Sequence, residues 1–129
     1  MTTRPPALTD AGTRLAVDRT RLAYERTMMA WVRTATSLIS FGFTIYKFFQ
    51  YQTDRGQAPA ERWFGPREFA VLMIAVGLGG LVLASIEHHR SMKTLRAAYG
   101  DIPRSTAALI GGFIGALGVV ALVAVFMRQ

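Results

Sequence analysis

The chain has 129 residues, 51% of them hydrophobic, with no Cys and a formal net charge of +7. The lack of Cys excludes disulfides and thiolate metal sites. The apolar residues come in blocks near the roughly 20 residues needed to cross a hydrocarbon core, which argues against a small soluble domain. The basic residues flank those blocks, so they read as membrane topology and contacts to anionic head groups rather than to nucleic acid.

Residues 1–12, rich in Pro, Thr and Gly, are expected to be disordered. They lack the apolar core of a signal peptide, so no cleavage is expected. Residues 13–129 are expected to form a single all-α domain of three transmembrane helices. Backbone polar groups in lipid must be satisfied internally, which favours helices for such stretches.

The first helix is predicted to start near Thr13 and to run without a Pro to Tyr51. It begins as an amphipathic cytoplasmic stalk of roughly five turns. It then becomes a span over about 34–51, interrupted only by Lys47. On the stalk, Leu15, Leu22 and Met29 share one heptad position, and Ala16, Ala23 and Ala30 the next. That pattern fits association between helices. It also fits a helix lying flat on the bilayer surface.

Arg19, Arg26, Arg33, Ser40 and Lys47 stand seven residues apart along this helix. Residues so spaced drift by only about 20° per heptad, so they draw a cationic line up one side. Helix neighbours lie three and four residues away. Arg14 and Arg21 have Asp18 at such a distance, and Arg21 also has Glu25, whereas Arg19, Arg26, Arg33 and Lys47 have no carboxylate there. They must find water, lipid phosphate, an acid on another helix or a mobile anion. Arg33 and Lys47 are separated by roughly 21 Å of helix, against a core of about 30 Å. Snorkelling of the long side chains closes that gap, and so does a water-filled path that accepts anions. In an oligomer each position becomes a ring, and a series of Arg and Lys rings selects anions. The Thr after each Arg (Thr20, Thr27, Thr34) either adds a hydroxyl beside the line or bonds the preceding turn.

The outer loop carries Gly and Pro breakers and the Trp63-Phe64 pair. The second span covers about 69–87 and extends as a helix to Tyr99, stopped by Gly100. Ser105 is a candidate N-cap for the third span, about 105–127, whose body has no charged residue. Gly79, Gly111 and Gly115 sit in small-xxx-small spacings that let membrane helices approach closely, either inside the monomer or between subunits. His88 and His89 are expected to be interfacial or lipid-facing, with no metal site. No nucleophile, carboxylate dyad or phosphate-binding glycine loop is present, so neither an enzyme nor a cofactor is expected.

Basic residues crowd the N-terminal segment and the inner loop, where Arg90, Lys93, Arg96 and Arg104 lie. The positive-inside rule then puts the N-terminus and the 88–104 loop in the cytoplasm and the C-terminus outside.

The phrase Leu22-Ala23-Tyr24-Glu25-Arg26-Thr27-Met28-Met29-Ala30-Trp31-Val32-Arg33-Thr34, continued by Phe41-Gly42-Phe43 and Lys47-Phe48, resembles the signature of the YidH-like, domain-of-unknown-function-202 membrane family. Where the family has Leu more often, this chain has Met29. The resemblance covers about 13–127 and implies a small multi-pass inner (plasma) membrane protein. It also implies kinship with the transmembrane module of the fungal vacuolar transporter chaperone complex, a ring around a basic polyphosphate path. By that likeness Arg26, Arg33 and Lys47 correspond to path-lining positions, and Glu25 to an acid latching neighbouring helices. The polymerase and phosphate-sensing domains of that complex have no counterpart here. The expectation is a homo-oligomer of about five subunits in membrane lipid, passing phosphate or polyphosphate along Arg19, Arg26, Arg33 and Lys47. The alternative is a non-conducting module whose basic stalk binds anionic lipid or a partner protein. In a third reading Glu25 and the arginines close purely structural salt bridges between subunits.

Overall fold

A computed structural model describes residues 6–57, 64–100 and 102–128. These form three α-helices: α1 (Pro6–Asp54), α2 (Pro66–Tyr99) and α3 (Thr106–Met127). Their lengths correspond to roughly 74, 51 and 33 Å of helix.

Local chemistry sets most of the boundaries. α1 begins at Pro6, earlier than the Thr13 start expected, so the segment expected to be disordered through Gly12 is already helical from Pro6. Pro suits a first helical position, because its fixed φ is preset and the N–H it lacks would be unpaired there anyway. Residues 1–5 lie outside the described residues. The far end closes on Gly56 at φ 72, with Gln57 N–H donating to the Gln52 carbonyl at 3.0 Å and Gly56 N–H to that of Thr53 at 3.0 Å. This paired pattern is a Schellman stop, and its left-handed residue favours Gly. α2 starts at Pro66 behind Gly65 and stops at Gly100 (φ 89). Ser105 caps α3, its hydroxyl oxygen accepting the Ala108 N–H at 3.2 Å.

The three helices run up, down and up, each packed on the other two. α1 is buried at Met28, Val32, Ala35, Ile39, Gly42 and Tyr46, and α2 at Ala70, Ile74, Gly77, Leu81, Ala84, His88 and Met92. Both series step by three and four, which keeps one face of each helix turned inward. Met28, Val32, Ala35, Leu81, Ala84 and Ala107 form one core cluster. Ile39, Tyr46, Ala70, Ile74 and Val125 form a second, further along the bundle. Small residues bring α1 and α2 close. A Cβ at Gly77 would stand 3.2 Å from the Ala35 carbonyl, and one at Gly42 3.0 Å from that of Ala70.

α2 and α3 are long and apolar enough to cross a membrane. Only 28% and 17% of their most apolar windows are buried inside the protein, so they are not the core helices of a soluble domain. The outward side chains include Leu72, Leu83, Leu109, Phe113, Leu117 and Val120. A monomeric soluble protein rarely exposes so continuous an apolar surface. α1 does not meet the same criterion. It nevertheless lies against α2 from Trp31, beside Gly80, to Gly42, beside Ala70.

Candidate functional site

The line of cations is on the outside of the bundle. Arg19, Arg26, Arg33, Ser40 and Lys47 are all exposed. The buried series 28, 35, 42 and 32, 39, 46 repeats every seven residues as the cations do, so at roughly 100° per residue the line keeps one offset, about 130°, from the buried face of α1. The line therefore stays on the outer side of the bundle from Arg19 to Lys47. Ala23, Thr27, Ala30, Thr34, Ser37 and Thr44 are exposed next to it, so the surface around the cations is small and partly hydroxylic.

Among the described residues no carboxylate comes within 4 Å of Arg19, Arg26, Arg33 or Lys47. The Lys47 ammonium donates to Gln50 Oε1 at 3.4 Å and lies 5.7 Å from the centre of the Phe43 ring. The three threonines turn inward. The hydroxyls of Thr20, Thr27 and Thr34 donate to the carbonyls of Ala16, Ala23 and Ala30 at 3.0, 3.1 and 3.1 Å. Their protons are thus engaged by the preceding turn, so in each Arg-Thr pair it is the arginine that offers donors to an anion.

Glu25 is half-buried and shares the inward helical phase of Val32, Ile39 and Tyr46. His88 is buried, which corrects the expectation of a lipid-facing imidazole. Position 88 continues the inward series of α2, and Nε2 meets Ser105 Oγ at 2.9 Å, joining α2 to the start of α3. His89 is exposed, and no cluster of metal-ligating side chains occurs among the described residues.

The glycines divide. Gly111 packs inside the protomer, where a Cβ would meet Met28 Cε at 2.7 Å. Gly115 makes only ordinary contact with Leu81, and Gly79 faces open space. Close packing belongs instead to Gly42, Gly77 and Gly118, the last with Leu78 and Ile39 inside 3 Å of a Cβ. Gly79 was indistinguishable from Gly77 in sequence, because α2 is apolar on every side near them.

Arg90, Lys93 and Arg96 are exposed on the last turns of α2, and Lys93 and Arg96 share a groove with Arg104. Sequence reasoning missed a cavity of about 570 Å³ between the start of α1 and the end of α2, lined by Asp10, Arg14, Asp18, Arg21 and Tyr99 among others. The expected Asp18 pairs with Arg14 and Arg21 are not closed to within 4 Å. Arg21 is half-buried, with its Nε unpartnered. No local spacing signals a cavity made by two helix ends 77 or more residues apart in the chain.

An all-helical bundle with two lipid-length helices and a long basic helix packed against them defines a membrane-type protein. The family model described as "Domain of unknown function (DUF202)" matches residues 19–94, more than half of the chain, and the protein belongs to that family. No curated protein and no solved structure matches the chain.

Proposed function

We propose that the protein crosses the inner (plasma) membrane three times, with its N-terminus and the α2–α3 connection in the cytoplasm. Copies of it, about five, would close a ring in which the outward faces of α1 line an anion-accepting path. The observation that carries this reading is the exposure of Arg19, Arg26, Arg33 and Lys47 along one side of α1, away from the core, with no carboxylate partner among the described residues. Two further features support it. The 28–46 stretch of α1 packs along α2, so it shares the depth of α2 in a bilayer. At that depth its outer face bears Arg33, Ser37, Ser40, Thr44 and Lys47, which lipid tails solvate poorly and a water-filled path accommodates. The Arg fork suits phosphate, and the family resemblance makes phosphate or polyphosphate the cargo to try first.

Anion flux in proteoliposomes tests this. Arg26→Glu with Arg33→Glu should lower phosphate flux at least tenfold while the subunit count in nanodiscs, read by native mass spectrometry, stays the same. Unchanged flux with an intact assembly would overturn the path.

A second reading is a non-conducting module whose stalk binds anionic lipid or a partner. It is favoured by α1 not meeting the length-and-apolarity criterion that α2 and α3 meet, and by Leu15 and Leu22 being exposed beside Arg19 and Arg26. A monomer in nanodiscs, without flux, is its expected signature. The geometry gives less support to Glu25 as a latch between subunits, since it is half-buried on the inward phase of α1.

A further inference from the structure

Where α2 ends and α3 begins, the bundle holds a groove of about 530 Å³ that no residue of α1 lines. Lys93 and Arg96 reach it from the last turns of α2, and Arg104 from just ahead of α3. All three are exposed, and none of their side chains has a hydrogen-bond or ionic partner among the described residues. No described carboxylate lines the groove. Three unneutralised cations from two helix ends therefore converge on one space, next to the positive end of the α3 dipole. Their spacing is held by packed structure rather than by a loop alone. His88 Nε2 and Ser105 Oγ tie α2 to α3 at 2.9 Å, and Ser105 caps α3.

His88, His89 and Ser105 also line the groove, and its apolar part is Met92, Ala108 and Leu109. Leu109 opens a stripe with Phe113 and Leu117, four residues apart on one side of α3 and 70%, 67% and 50% exposed. A basic recess thus continues directly into an apolar track that runs along a lipid-length helix. A soluble anion would use the first and leave the second empty. An amphiphile with a phosphate head and acyl chains fits both.

We infer that this groove is a binding site for an anionic phospholipid, with the phosphate among Lys93, Arg96 and Arg104 and an acyl chain along Leu109, Phe113 and Leu117. The site is independent of the α1 path, whose failure would leave it standing.

The test is native mass spectrometry of the full chain in non-ionic detergent with equimolar phosphatidylglycerol and phosphatidylcholine. Each protomer should retain one phosphatidylglycerol in preference to phosphatidylcholine, and millimolar inorganic phosphate should not displace it. Replacing the three cations together (Lys93→Gln, Arg96→Gln, Arg104→Gln) should weaken retention by roughly a hundredfold, given the usual contribution of each basic residue near an anionic lipid surface. If that variant loses its helical circular dichroism, Arg104→Gln alone should weaken retention roughly fivefold. Equal retention of both lipids, displacement by phosphate, or undiminished retention in a folded variant would overturn the site. So would loss of the lipid from an Arg19→Gln, Arg26→Gln, Arg33→Gln variant in place of the groove variant, which would move the lipid to α1.

Discussion

The outward faces of α1 and α3 lie side by side at the same depth of the bundle and are built for different surroundings. α3 presents Leu109, Phe113, Leu117, Val120 and Phe126, side chains that lipid tails solvate as well as protein does. α1 presents Arg33, Ser37, Ser40, Thr44 and Lys47, with Phe41 and Phe48 on one flank. In hydrocarbon, polar groups need partners within the protein or in trapped water. The hydroxyl of Thr44 already donates to the Ser40 carbonyl at 2.7 Å, whereas Arg33 has no partner among the described residues. The contrast teaches that one face of the protomer is finished and the other is not. If α1 crosses the bilayer as proposed, that face calls for water, lipid phosphate, an anion or another copy of the chain against it.

The strongest way to break this contrast is to place the same cation on both faces. Val120→Arg on α3 should cost about 2.5–3.5 kcal/mol of insertion, the usual penalty for Arg at mid-membrane depth, while Ser40→Arg, which adds a fifth cation to the α1 line, should insert as well as the parent chain. Glycosylation-reporter insertion assays measure both, and equal penalties would mean that the two faces see the same lipid. Close packing of α1 on α2 can be probed next. Gly77→Leu must push against the Ala35 carbonyl and should destabilise the bundle by about 1–3 kcal/mol in denaturant titrations, whereas Gly79→Leu, facing open space, should stay within about 0.5 kcal/mol. A dissociated assembly in folded Gly79→Leu would put Gly79 at a subunit contact. The smallest effect should come from Thr27→Val. The Thr27 hydroxyl proton is engaged by Ala23, so anion flux should change by less than about twofold, against the large loss expected for the arginine next to it. A Thr27 effect as large as that of Arg26 would give the hydroxyl a direct role at the anion.

Several features of the fold were readable from local chemistry. Gly100 stops α2 because the chain there needs a positive φ, and Ser105 caps α3 because a short hydroxyl side chain reaches the N–H three residues on. The helical extension of α2 to Tyr99 followed from the absence of any breaker before Gly100. The start of α1 was placed too late because Pro6 was read as a disorder signal when it serves as an initiator. His88 was expected to be interfacial or lipid-facing because no Cys or third His was available to build a site with it. Burial came from its phase on α2 and from Ser105, 17 residues away.

The candidate site divides in the same way. The spacing of Arg19, Arg26, Arg33 and Lys47, and their lack of a carboxylate three or four residues away, are properties of one helix and could be read without a fold. The tie between His88 and Ser105 and the groove joining Lys93 and Arg96 to Arg104 are not, since each brings separate elements together.

The amino-acid sequence by itself determined three helices, where α2 stops and α3 starts, the lipid-length apolar runs of those two, and the unpaired cationic line on α1. Each is written within a few turns of chain, where backbone hydrogen bonding and the helical repeat decide the outcome. Only the tertiary structure decided which side of each helix turns inward. α2 and α3 are apolar almost all round, so hydrophobicity does not set their rotation. The choice fell to shape, through Gly42 and Gly77, where a Cβ would press on the backbone of a neighbouring helix, and Gly111 and Gly118, where it would press on side chains packed from one.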